Sequence, residues 1–171
     1  MSSLDDVVTQ FLAGRSLWAE LHSSVPLTTV KDPHVTLYHY GKYQGNQPDL
    51  LDRRFADEIV QTLDGNLLKA AQRVSTLQLR TSGVALFHGR EENHAVVLVK
   101  HPVLVDLAEL VGRDLPKRRF DGPWIPHVTI DKLALDVSYT LHGAPTLPQF
   151  DYLAMTCGDA RVIYQLRAVD S

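Results

Sequence analysis

The tetrapeptide Pro-His-Val-Thr occurs twice in the chain, at Pro33–Thr36 and at Pro126–Thr129. Histidine titrates near neutral pH and can give or take a proton. A threonine hydroxyl can donate to an oxygen where negative charge collects. Each tetrapeptide runs into an apolar stretch that reads as a strand, and a strand has a period of two. His34, Thr36 and Tyr38 are therefore expected on one face, with Val35, Leu37 and His39 on the other. In the second copy His127, Thr129 and Asp131 share a face, opposite Val128 and Ile130. If the two strands lie close together, two imidazoles and two hydroxyls line one groove. That set suits a phosphodiester. One imidazole takes the proton of the attacking oxygen, the other protonates the leaving oxygen, and the hydroxyls hold the phosphate.

One His-x-Thr on an amphipathic strand reads as an ordinary solvent-facing strand. Two copies, each after a proline and one in each half, favour a paired site. A zinc site from His34, His127 and Asp131 is the competing use of the same residues, but it needs convergent ligands with a supporting shell. Two histidines supply both proton transfers, so no cofactor and no metal are expected. Tyr38 is the preferred aromatic contact for a base because it shares the face of His34. Trp124, just before His127, reads equally as a base-stacking ring or a core anchor. Trp18 and Phe87 are further candidate contacts, with core packing as their ordinary use. Lys117-Arg118-Arg119 is a solvated loop or an electrostatic lip for phosphate.

The surrounding elements must position these residues. Ser3 caps a helix to Leu12, with Gly14 ending it. Leu17, Ala19 and Leu21 alternate with Trp18, Glu20 and His22, which predicts a strand. The first motif strand runs to about Tyr40. Leu51, Phe55, Ile59 and Leu63 predict a helix over 50–63, with Asp49 as its cap. A strand is expected over 68–81, then Gly83 and the segment VALF, the turn Gly89–Asn93, and a strand over 95–99. Another helix follows from Pro102 to about Val111. Residues 113–123 form a loop, 125–130 the second motif strand, and the chain closes with a hairpin about Gly158-Asp159-Ala160. This order predicts an α+β fold of two similar halves.

The chain has 171 residues, 44% hydrophobic and 22% charged, with net charge −3. That balance is ordinary for a globular domain. It disfavours long duplex nucleic acid, which requires a broad basic surface. A lone cysteine, Cys157, forms no internal disulfide and reads as a buried hydrophobe. The N-terminus has no basic segment ahead of an apolar one, and no apolar run reaches a membrane span. A cytoplasmic monomer with no membrane partner is expected.

The two tetrads HVTL and HVTI, half a chain apart, resemble the 2H phosphoesterase superfamily. That group includes bacterial RNA 2',3'-cyclic phosphodiesterase/ligase-like proteins, eukaryotic cyclic phosphodiesterases and phage enzymes that degrade cyclic-oligonucleotide immune signals. The resemblance extends from about Leu17 to the C-terminus. It implies one bilobal, pseudo-symmetric α+β domain over residues 1–171, with antiparallel sheets lining a central groove, helices outside, and residues 1–14 as a helical extension. It implies metal-independent catalysis by His34 and His127, with Thr36 and Thr129 on the phosphate. The expected substrate is a nucleotide with a 2',3'-cyclic phosphate or 2'-linked phosphodiester, such as an RNA end. A cyclic di- or trinucleotide signal is the alternative, and a silent nucleotide-binding module a third reading.

Overall fold

The computed structural model describes residues 2–27, 30–43, 50–116, 123–138, 143 and 145–169. In chain order the elements are α1 (Leu4–Leu12), β1 (Leu17–His22), β2 (His34–Gly41), α2 (Leu50–Arg73), β3 (Arg80–His88), β4 (Glu92–Lys100), α3 (Leu104–Val111), β5 (His127–Ala134), β6 (Tyr152–Cys157) and β7 (Ala160–Gln165). The strands form two antiparallel sheets, ordered β2-β1-β6-β7 and β3-β4-β5. The fold is α+β, with one motif strand in each sheet. β2 and β5 end their respective sheets and pack beside each other. Helix α3 lies against β2, while α1 and α2 lie against β6 and β7.

Helix α1 begins as its sequence demands. The Ser3 hydroxyl accepts from the Asp6 N–H at 3.2 Å, and the Ser3 N–H donates to the Asp6 carboxylate at 2.9 Å. This reciprocal pair satisfies donors that the first turn would leave open. Val7, Val8 and Phe11 are buried, so α1 belongs to the core.

Helix α2 departs from expectation. It continues to Arg73, through the residues read as the start of a strand. Its buried stripe is Ala56, Val60, Leu63, Leu67 and Ala70, whereas Phe55 is exposed. The spacing of three and four persists past Leu63, so the helix keeps burying apolar surface and does not stop. Between 74 and 79 only isolated bridges remain, Ser75 to Arg167 and Leu77 to Phe150. The third strand then runs unbroken through Gly83, where the register slips and φ reaches +150°. Glycine tolerates that backbone without strain. Helix α3 starts at Leu104, two residues after Pro102. The cap expected at Asp49 and the run Lys117-Arg118-Arg119 lie outside the described residues.

Candidate active site

Cross-strand partners in an antiparallel sheet put their side chains on one face. His34 pairs with His22, and Thr36 with Glu20. His22 in turn pairs with Tyr152, and Glu20 with Ala154. The face that carries His34 and Thr36 therefore also carries Glu20, His22 and Tyr152. In the other sheet His127 pairs with Leu98 and Thr129 with Val96. All four motif side chains are partly exposed, while Val35 and Val128 between them are fully buried.

Immediately after each threonine the register slips by one residue. Thr36 faces Glu20 but Tyr38 faces Ala19, so Leu37 is extra. Thr129 faces Val96 but Asp131 faces Ala95, so Ile130 is extra. A bulge of this kind reverses the parity of everything that follows. Tyr38 consequently does not share the face of His34, which corrects the sequence expectation. It is buried at 1% exposure, and its hydroxyl donates to the Pro116 carbonyl at 2.7 Å. A Cβ at Gly112 would meet its ring at 3.2 Å, so the absence of that carbon makes room for it. Asp131 likewise leaves the face of His127 and Thr129, which removes it from the zinc set considered above. His39 is turned the other way, towards the face of Thr36, and stacks on Trp18 with ring centres 3.7 Å apart.

The two motif histidines have unlike surroundings. The Nδ1–H of His34 donates to the Asp32 carbonyl at 3.0 Å, and Nε2 lies 3.1 Å from Glu20 Oε2. Both ring nitrogens face acceptors, so both contacts are hydrogen bonds only when the ring carries two protons. The Nδ1–H of His127 donates to the Ile125 carbonyl at 2.8 Å. A carbonyl can only accept, which fixes the tautomer and leaves the lone pair of neutral His127 on Nε2. The Phe87 ring stands edge-on to His127 at 4.8 Å. Burial holds His127 below its ordinary value. Positive charge on His34 and His94 acts in the same direction, against the Ile125 carbonyl, which favours the charged ring. A charge on one motif histidine is thus felt by the other. Trp124 ties the two strands together by donating from Nε1 to the Thr36 carbonyl at 3.1 Å.

A polar chain that sequence reasoning missed runs behind His34. Glu20, 8% exposed, takes His22 Nε2 on Oε1 at 3.1 Å and the Thr156 hydroxyl at 3.2 Å. His22 Nδ1 lies 2.9 Å from Asp32 Oδ1. Arg161 donates to Asp32 Oδ2 at 3.3 Å and to the Tyr152 hydroxyl at 2.5 Å. The His22 ring stacks on Tyr152 and on His34, each with centres 5.0 Å apart. Burial pushes the Glu20 carboxyl up, but hydrogen bonding to His22 and Thr156 and the charges of His34 and His22 outweigh it. The net result is a value below the usual one. Asp32 behaves alike, with desolvation outweighed by His22, Arg161 and His34. The signal was present in the alternation of Trp18, Glu20 and His22 along β1, which places all three on one face. Among the described residues, no three His, Cys, Asp or Glu side chains form a group that could hold a metal ion.

Residues 15–165 match the family described as the 2'-5' RNA ligase superfamily. No curated protein sequence matches the chain. Among solved structures, the protein TT0787 of Thermus thermophilus is similar with a TM-score of 0.57 at 13% identity, over 91% of this chain and 100% of that one. Usb1 of Kluyveromyces marxianus is similar with a TM-score of 0.56 at 15% identity, over 95% of this chain and 90% of that one. At such identities the likeness carries the fold alone.

Proposed function

Because the chain belongs to the 2'-5' RNA ligase superfamily, a 2H phosphoesterase group whose members in general cleave nucleotide phosphodiesters, we propose that it is a metal-independent phosphodiesterase acting on a nucleotide 2',3'-cyclic phosphate or 2'-linked phosphodiester. The observation that carries this reading is the opposite setting of the two motif histidines. His127 has its Nε2 lone pair free and sits against Phe87, which suits a base. His34 faces acceptors at both nitrogens, which suits an acid.

In the hydrolysis of a cyclic phosphate, His127 Nε2 takes a proton from water as the water oxygen bonds to phosphorus. The bond from phosphorus to one ribose oxygen breaks, and that oxygen takes the Nε2 proton of His34. The products are a phosphomonoester and a free hydroxyl. His127 then returns its proton to solvent and His34 regains one, which resets the site. Thr36 and Thr129 donate to the non-bridging oxygens, where negative charge grows. Trp18, beside Glu20 on the sheet face, and Phe87, against His127, offer rings to a base. Trp124 is better described as the tie between the strands.

The test is turnover of 2',3'-cyclic mononucleotides, cyclic oligonucleotides and cyclic-phosphate RNA ends, with products identified by mass. His34→Ala and His127→Ala are each expected to lower kcat by about a hundred- to ten-thousand-fold with the fold intact. Thr36→Val and Thr129→Val should cost less, since each removes one hydroxyl donor. Activity is expected to survive exhaustive chelation. A rate that vanishes on chelation and returns with one specific ion would make the histidines ligands and overturn the mechanism.

A further inference from the structure

The two motifs are nearly identical in sequence, yet among the described residues only the first is backed by a carboxylate. We infer that Glu20 is a positioning residue that orients His34 for proton donation, with His22 and Asp32 fixing Glu20 in turn. This inference rests on the proposed acid role of His34 and extends it to residues outside the motifs.

The geometry supports it in three ways. First, Glu20 Oε2 is 3.1 Å from His34 Nε2, the nitrogen left for chemistry once Nδ1 is engaged by the Asp32 carbonyl. This contact is long for a charge-assisted hydrogen bond, so an entering leaving-group oxygen can take the proton over. Secondly, Glu20 does not depend on His34 for its own solvation. Its other oxygen keeps His22 and the Thr156 hydroxyl, so the carboxylate remains satisfied when His34 turns to substrate. Thirdly, His22 is pinned on both sides. Its two nitrogens meet Glu20 and Asp32, and its ring lies between those of Tyr152 and His34.

The order Asp32, His22, Glu20, His34 alternates acid and base, with Arg161 closing the outer end on Asp32. The charged and titratable groups around His34 are therefore Glu20 and His22 from β1, Asp32 from the preceding loop, Tyr152 from β6, Arg161 from β7 and, on the strand that packs beside β2, His127 from β5. No corresponding carboxylate is paired with His127 among the described residues. Its cross-strand neighbour is Leu98.

The experiment is an NMR titration of the histidine ring signals in the wild type, Glu20→Gln and Asp32→Asn, run beside a pH–rate profile on a 2',3'-cyclic mononucleotide. In Glu20→Gln the His34 midpoint is expected to fall by about one pH unit, the scale of a neighbouring opposite charge. The His127 midpoint should move far less. The alkaline limb of the rate profile should fall with the His34 midpoint, so that activity lost at high pH is partly recovered by working at lower pH. Asp32→Asn, at a half-exposed position, should move His34 in the same direction by a smaller amount, and it serves alone if Glu20→Gln does not fold. An unmoved His34 midpoint in a folded variant overturns the inference. So does a loss of rate that is uniform across pH, because that would mark Glu20 as structural only. If no protein turns the substrate over, the titration still decides the role of Glu20, and only the proposed activity fails.

Discussion

At the scale of single residues, the same His-x-Thr sequence is placed in two different environments, and environment sets what a histidine can do. His127 is held below its ordinary value of 6.5 by burial first and by neighbouring positive charge second. In the proposed mechanism His127 is the base, and a base must be unprotonated to work. The acidic limb of the kcat/KM profile is therefore expected to lie below pH 6.5. Replacing Phe87 by Ala, which opens the ring to water, should move that limb upward. A limb that stays in place in Phe87→Ala would mean that desolvation by this ring is not what tunes His127.

At the scale of elements, helix α2 carries Gly65 in its interior, where an added Cβ would meet nothing within 4 Å. Mid-helix glycine is worse than alanine by roughly 0.5–1 kcal/mol. Gly65→Ala is expected to raise stability by about that amount, read from urea denaturation, without altering turnover.

The strands show what could be read from sequence and what could not. The paired motifs, the apolar face of Val35 and Val128, and the capped first helix follow from local rules of period and capping. The bulges after Thr36 and Thr129 do not. A one-residue slip leaves the alternation of letters unchanged while reversing which letters share the face of the motif histidine and threonine, so period alone puts Tyr38 and Asp131 on the wrong side. The end of α2 is hidden for a related reason. Leu67, Ala70 and Ala71 fit a strand of small apolar residues as well as a helix, and only tertiary packing chooses. Glu20 and His22 are visible as alternating polar residues on β1, but nothing in the sequence announces which strand β1 pairs with. Their function depends on that pairing.

At the scale of the whole molecule, the polar chain behind His34 joins β1, the loop before β2, β6 and β7. Its carboxyls couple stability to acid. Glu20 and Asp32 lie below 4.5 and 3.8 respectively in the folded chain. Each contributes stability that is fully present above its unfolded value and lost as pH falls through its folded value. His127 adds to the same trend from a higher pH, because the unfolded ring binds its proton more readily than the folded one. Urea midpoints are expected to decline between pH 7 and pH 3, and Glu20→Gln should flatten the part of the decline below pH 4.5. A slope unchanged in that variant would detach Glu20 from the acid transition.

The stack of Trp18 on His39 gives the molecule an optical signal of its own. The chain has two tryptophans. One lies against an imidazole at 3.7 Å, and the other is hydrogen-bonded to β2 through Thr36. The imidazole in face contact sets the surroundings of the indole, so His39→Ala, which removes the stacked ring, is expected to change the intrinsic emission of Trp18. Trp18→Phe should abolish that change and leave Trp124 as a lone emitter, tied to β2 through Thr36. In such a variant, carrying His127→Ala to prevent turnover, a nucleotide entering the groove is expected to shift the remaining emission, and its dissociation constant can be read without any label.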